Sequence, residues 1–228
     1  MDLAKDFRKF AKDFRKFAID KTNVSASVLD SQMAKGFLTP YILEERQLNV
    51  TQLDIFSRLL YDRILYFSGE VTRETCDTMN AELLYLDSVD NRDISLYINS
   101  NGGSVVDGLS VIDTMNFIKS EVSTISMGMA ASMGAVLLSN GAKGKRCALP
   151  HSRIMIHSVA SSFAGHTADV RIEMEQTEKC QRDVYKILAE NTGKSLDEIE
   201  KLCDRDNWYI GNEAIDLGIV DKIIESNK

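Results

Sequence analysis

Proline is scarce. Only 2 of the 228 residues are proline, which excludes collagen-like and proline-rich disordered classes. Cysteine is also sparse: Cys76, Cys147, Cys180 and Cys203. No two lie close in sequence, so they offer neither a zinc clasp nor a redox pair. Four scattered thiols in a chain of this length point to a reducing compartment. Long hydrophobic runs are missing. The longest uncharged stretch of small and apolar residues, Met127 to Leu138, covers about twelve positions, where a membrane span needs roughly 20. No apolar secretory segment follows the start, and the expectation is a cytoplasmic protein without membrane contact. Positive charge is not in excess either. With 27 Lys+Arg against 34 Asp+Glu and a net charge of −7, a general nucleic-acid binder is not expected.

What is present is the make-up of an ordinary globular chain, 44% hydrophobic and 27% charged, long enough for one α/β core to fold unaided. The first segment is unusual. Ala4-Lys-Asp-Phe-Arg-Lys-Phe10 repeats at once as Ala11 to Phe17, and Phe7, Phe10, Phe14 and Phe17 share one helical face. Two heptads are too short for a stable coiled coil. The segment reads as a removable leader or, alternatively, as a basic surface-binding helix. Its aspartates fit a mitochondrial transit peptide poorly.

From about Gln52 the pattern alternates. Ile64–Phe67, Ile94–Ile98 and Val122–Ser126 read as strands, as do Arg146–Leu149 and Ile154–Ile156. Val71–Asp87, Val105–Ile118 and Ser132–Leu138 read as helices, and a long helix runs to about Asn191. Residues 158–166 are polar and small. Ser195 and Glu198 make a capping box before a further helix. Such alternation predicts an α/β fold with parallel strands buried by helices.

Several segments could carry chemistry. Thr192-Gly193-Lys194-Ser195 looks like the end of a phosphate-binding loop, but Leu188 stands where that loop needs glycine, and the capping box explains these residues better. Asn99-Ser-Asn-Gly-Gly103 ends a strand and opens a helix. Its glycines leave N–H groups unshielded, as an oxyanion site or simply a tight turn would. Met127-Gly-Met-Ala-Ala-Ser132-Met-Gly134 also passes from strand to helix. Small residues flank Ser132 on both sides, as around an exposed nucleophile or within a tightly packed helix. A serine nucleophile needs a base, and only His151, His157 and His166 exist. His157 ends an apolar strand, where ligands bind in α/β sheets, and is the best of the three. Spacing alone selects no orienting carboxylate; Cys203-Asp204-Arg-Asp206-Asn-Trp208 is a polar cluster that would suit one.

Taken together, these segments resemble the proteolytic subunits of Clp proteases, self-compartmentalised serine peptidases, from about Pro40 to Asp221. The resemblance rests on Phe56-Ser-Arg-Leu-Leu60, Tyr97-Ile-Asn-Ser100, Gly102-Gly103, Asp113-Thr-Met115, Gly128 to Gly134, Gly141 to Arg146, Ser152 to His157, Asp204-Arg-Asp206, Glu213-Ala214 and Gly218 to Asp221. It implies a ClpP/crotonase-like α/β fold of repeated β-β-α units with a protruding helix-and-strand handle at about 158–191. It implies a leader over residues 1–40, a single peptidase domain over 41–228, and an axial loop at 41–51. The family's nucleophile falls on Ser132, its general base on His157 and its orienting acid on Asp206. Its oxyanion donors fall on the backbone of Gly103 and Met133. No cofactor and no metal are implied; ATP is used only by a partner AAA+ unfoldase of the ClpX, ClpA or ClpC type. The implied assembly is a homo-oligomer of two stacked heptameric rings that hydrolyses unfolded proteins to short peptides.

Some positions depart from the family pattern. Asn101 stands where proline is usual, Ser158-Val159 where Gln-Pro is usual, and Ser161-Ser162 where a glycine pair is usual. Ser95 and Cys147 replace aromatic residues of the unfoldase-docking pocket, while Tyr97 and Phe117 remain. Two other readings stay open: an acyl-CoA hydratase or isomerase of the same fold, and a weakly catalytic subunit supporting a more active paralogue.

Overall fold

The computed structural model describes residues 41–46 and 49–225, with side chains from Asp54 onward. The leader expected over residues 1–40 lies outside them. The chain divides into two compact units, one ending at Arg58 and one starting at Leu59. In the first, β1 (Tyr41–Arg46) and β2 (Asn49–Asp54) pair antiparallel from Tyr41↔Asp54 to Arg46↔Asn49. The stretch expected as an axial loop is thus a hairpin along its described backbone. Asp54 then caps helix α1 (Ile55–Tyr61), accepting the N–H groups of Phe56 and Ser57 at 3.0 and 3.1 Å.

The second unit is built on a parallel sheet. Strands β3 (Ile64–Val71), β4 (Ile94–Gly103) and β5 (Val122–Ala131) lie side by side, followed by β6 (Arg146–Ala148) and the short β9 (Lys222–Ile223). β5 changes partner along its length. Thr124–Ser126 pair with β6, and Met129–Ala131 pair with β7 (Arg153–Ile156). β8 (Asn207–Ile210) then runs antiparallel to β7. The change of partner follows a bulge against β4: Ile98 faces Ser126 but Ser100 faces Ala130. Gly128 supplies the required φ of +81°, and the Asn99 side-chain oxygen accepts the Met129 N–H at 3.1 Å.

Helices α2 (Arg73–Val89), α3 (Val105–Phe117) and α4 (Met133–Ser139) connect successive strands. α5 (Thr167–Thr192), α6 (Leu196–Leu202) and α7 (Asn212–Leu217) complete the unit. Local chemistry sets their ends. Thr72 and Thr75 form a reciprocal capping box for α2. Ser195 and Glu198 form the one expected for α6. Gly193, at φ 75°, stops α5 in the left-handed conformation that suits glycine. α2 buries Cys76, Met79, Leu83 and Leu86, its three- and four-residue stripe, against the sheet.

One ion pair joins the later elements. Arg146, whose side chain is 5% exposed, pairs with Asp221 at 2.6 Å. Its remaining guanidinium group donates to the carbonyls of Ser139 and Asn191 at 3.4 and 2.7 Å. It thereby satisfies the last turns of both α4 and α5. Burial alone would raise the Asp221 carboxyl. The Arg146 guanidinium and the amides of Arg146 and Gly144 outweigh that and hold it below its ordinary value.

The long helix of the expected handle is α5. Residues 158–166, its expected strand, form neither helix nor strand. Its Val159 N–H is held instead by the Gln181 side chain of α5 at 3.1 Å. Among the described residues no helix is long and apolar enough to cross a membrane.

Candidate active site

Ser132 sits between β5 and α4 at φ 53° and ψ −125°. This left-handed conformation is costly for a residue with a Cβ, on the order of 1–3 kcal/mol. The turn is held from both sides. Ser132 N–H donates to the Met155 carbonyl at 2.8 Å, and its own carbonyl accepts from Ala135 and Val136. Small neighbours make the turn possible. A Cβ on Gly102 would lie 2.6 Å from the Ser132 Cβ and 2.7 Å from the Ala131 carbonyl oxygen. This is the strand-to-helix elbow that aims a hydroxyl outward.

His157 follows the last residue of β7. Its Nε2 lies 2.8 Å from Ser132 Oγ, and its Nδ1 lies 3.3 Å from the Asp206 carboxylate. The sheet explains the second contact. β8 pairs with β7 at Ile156↔Asn207, so the preceding residue, Asp206, comes opposite the residue after Ile156. Register thus brings Asp206 to the imidazole, a placement that spacing alone does not give. A proton on Nδ1 would donate to Asp206 and leave Nε2 to accept from the serine hydroxyl. The His157 side chain is 25% exposed and that of Asp206 64%. The other two histidines, His151 and His166, are exposed, and His166 stands before α5 without capping it by its side chain.

Gly103 and Met133 border the same cleft as Ser132 and His157. Gly103 has φ 148° and sits so close to β3 that a Cβ would come within 2.4 Å of the Val71 carbonyl oxygen. The cleft is about 150 Å³. Val105, Met133, Val136, Val184 and Leu188 form its apolar wall, and residues 158–160 form its rim. Neither Val184 nor Leu188 is a lining candidate on sequence alone. Their four-residue spacing on a long helix was the available signal, but it reads equally as ordinary core.

The five expected positions, Ser132, His157, Asp206, Gly103 and Met133, therefore converge. Other reactive groups do not. The four cysteines are free, and burial pushes the thiols of Cys76 and Cys203 up to about 11 and about 12, which keeps them protonated and inert. Among the described residues no group of three or more His, Cys, Asp or Glu is arranged to hold a metal.

Comparison with known proteins adds an independent line. The Clp protease family model matches residues 46–227. An ATP-dependent Clp protease proteolytic subunit of Bacteroides fragilis is 50% identical over 222 residues, covering 96% of this chain and 98% of its own. That of Bacteroides thetaiotaomicron is 49% identical over the same length. That of Porphyromonas gingivalis is 44% identical over 208 residues, 90% of this chain and 94% of its own. Likeness of that degree, carried across nearly the full length of the relatives, settles the assignment: the chain belongs to the Clp protease family, a family of serine peptidases.

Proposed function

We propose that the chain is the proteolytic subunit of an ATP-dependent Clp protease, with Ser132, His157 and Asp206 as its catalytic triad. The observation that carries this reading is the 2.8 Å contact between Ser132 Oγ and His157 Nε2 at a strained elbow. In this reading the Ser132 oxygen attacks a peptide carbonyl carbon, and the hydroxyl proton passes to Nε2. Asp206 keeps Nδ1 protonated and stabilises the imidazolium. The N–H groups of Gly103 and Met133 bind the oxygen as it becomes negative. His157 then protonates the departing amine as the C–N bond breaks. A water, deprotonated by His157, attacks the resulting ester, and His157 returns that proton to the Ser132 oxygen as the ester C–O bond breaks and the acid product leaves.

The apolar cleft beside Ser132 would hold one aliphatic side chain of the substrate. The substrates are unfolded polypeptides, cut to short peptides. They are delivered by an AAA+ unfoldase of the ClpX, ClpA or ClpC type, which spends the ATP. The names of the relatives support that partnership. Exposed apolar residues support self-association. Phe163, Ile172 and Met174 lie on or beside the long handle helix, at 36%, 59% and 52% exposure, and Phe117 is 80% exposed. The assembly is two stacked heptameric rings in the cytoplasm, with the handle between rings, residues 41–51 at the axial pore and residues 1–40 removed on maturation. The test compares wild type with Ser132→Ala on a fluorogenic peptide, and maps the site of reaction with a fluorophosphonate. The expected result is labelling at Ser132 and loss of cleavage in the variant. Unchanged cleavage would end the reading.

A further inference from the structure

We infer that Ser100 is a positioning residue that sets both oxyanion donors of the proposed site. It lies in β4, two residues before Gly102, and is 1% exposed. Its hydroxyl donates to the Gly69 carbonyl and accepts the Gly102 N–H, the latter at 3.1 Å. A buried hydroxyl with both functions filled is fixed in orientation. What it holds is the end of β4, where Gly102 and Gly103 pair with Glu70 and Val71 of β3 past a register shift. Gly102 has φ 90° and Gly103 has φ 148°. Neither has a side chain to restrain its torsions. The direction of the Gly103 N–H therefore depends on that pairing and on where the strand end is anchored. Downstream, the Val71 carbonyl accepts the Ser104 N–H at 2.8 Å. Upstream, the anchor is Ser100.

The same residue reaches the second donor. Gly134, the second residue of α4, packs on Ser100. A Cβ at Gly134 would lie 3.1 Å from the Ser100 carbonyl oxygen and 3.3 Å from its Cβ. Ser100 also faces Ala130 across the sheet, two residues before Ser132. The Met133 N–H lies between these two contacts. One buried serine thus supports the Gly103 side of the hole with its hydroxyl and the Met133 side with its backbone and Cβ. Oxyanion stabilisation depends on donors held in place before the charge forms, and Ser100 is where the two holds meet.

This inference rests on Ser132 being the nucleophile, and the experiment separates the two ideas. Wild type, S100A and S100T are prepared as the full assembled chain, and active sites are counted at the end point of fluorophosphonate labelling. kcat and KM are measured on a fluorogenic peptide, together with Ki for the matching peptide aldehyde, whose adduct carries the oxyanion. S100A leaves the Gly102 N–H without its acceptor. It is expected to lower kcat per labelled site by tenfold or more, below the ~10²–10³ lost when a whole donor is removed. KM should stay within twofold, and aldehyde binding should weaken by the same factor as kcat/KM. S100T keeps the hydroxyl and should recover most of the loss. Three outcomes overturn the inference while leaving the peptidase reading intact: an unchanged S100A, equal losses in S100A and S100T, or an S100A that yields no labelled sites and so marks a folding role. Failure to label wild type at Ser132 removes the peptidase reading itself.

Discussion

Ser132 donates its backbone N–H to the carbonyl of Met155, two residues before His157, over 2.8 Å. The proposed nucleophile and base are therefore stapled together at the backbone, and the pairing Ala131↔Met155 sets the strands on either side. The hydroxyl and imidazole meet without rearrangement. Asp206 is held differently, through a neighbouring antiparallel strand and with most of its side chain in water.

That difference should appear in the kinetics. His157→Ala is expected to lower kcat by about 10⁴–10⁶. Asp206→Asn keeps the size of the group but loses its charge, and from its exposed position should cost at most about 10⁴. Single-turnover acylation by an activated peptide ester checks the ranking. An Asp206 effect equal to or larger than that of His157 would contradict it.

The apolar wall should set which side chain sits beside the scissile bond. Val184 and Leu188 bring it from α5, and Val105 and Met133 face the same cleft. Val184→Phe fills part of the roughly 150 Å³ space. It is expected to lower kcat/KM for peptides with leucine or methionine at that position by at least tenfold relative to alanine. A peptide series varied at this one position measures it. An unaltered ranking would place the substrate side chain elsewhere.

Gly102 and Gly193 should respond in opposite ways to the same methyl group. Both have positive φ, 90° and 75°. At Gly102 the new Cβ would press on the Ser132 Cβ from 2.6 Å, whereas at Gly193 nothing lies within 4 Å. Gly102→Ala should abolish peptidase activity. Gly193→Ala should cost about 1–2 kcal/mol of stability through backbone strain alone and keep activity per folded molecule. Thermal unfolding and active-site titration together read both outcomes.

Acid should act on the Arg146–Asp221 pair. Because the folded carboxyl lies below its ordinary value of 3.8, its contribution is fully present above that pH and is lost as pH falls through the folded value. Asp221→Asn removes this dependence. It also leaves the buried Arg146 charge without its counter-ion, at a cost of about 3 kcal/mol. Denaturant midpoints between pH 2 and 7 should fall at the acid end for wild type, while the variant is weaker near neutral pH, flatter, and approaches wild type at the acid end. A wild type and variant with parallel profiles would assign the acid response to other carboxylates.

Much of the core was legible because strands and helices alternate with unmixed periodicity. Ile94, Val105 and Val122 begin elements where the pattern places them, and the Ser195–Glu198 box caps its helix as expected. Strand ends were less legible. Val122–Ser126 continues to Ala131 because Gly128 makes a bulge, and in a single sequence a bulge glycine looks like a terminator. Helix α1 and strand β8 are short and carry little periodicity, so the sequence pattern does not set them apart from their surroundings. The site shows the same division. Ser132 and His157 stand at strand ends and could be read locally. Asp206 needed the register of β7 and β8, a relation between residues distant in sequence.

The way β8 delivers Asp206 has a consequence for the order of synthesis. On the proposed roles, residues 132 and 157 leave the ribosome about 75 and about 50 residues ahead of the acid that completes them. A nascent chain therefore carries an unfinished catalytic set, and becomes competent only when its tail has folded back along β7.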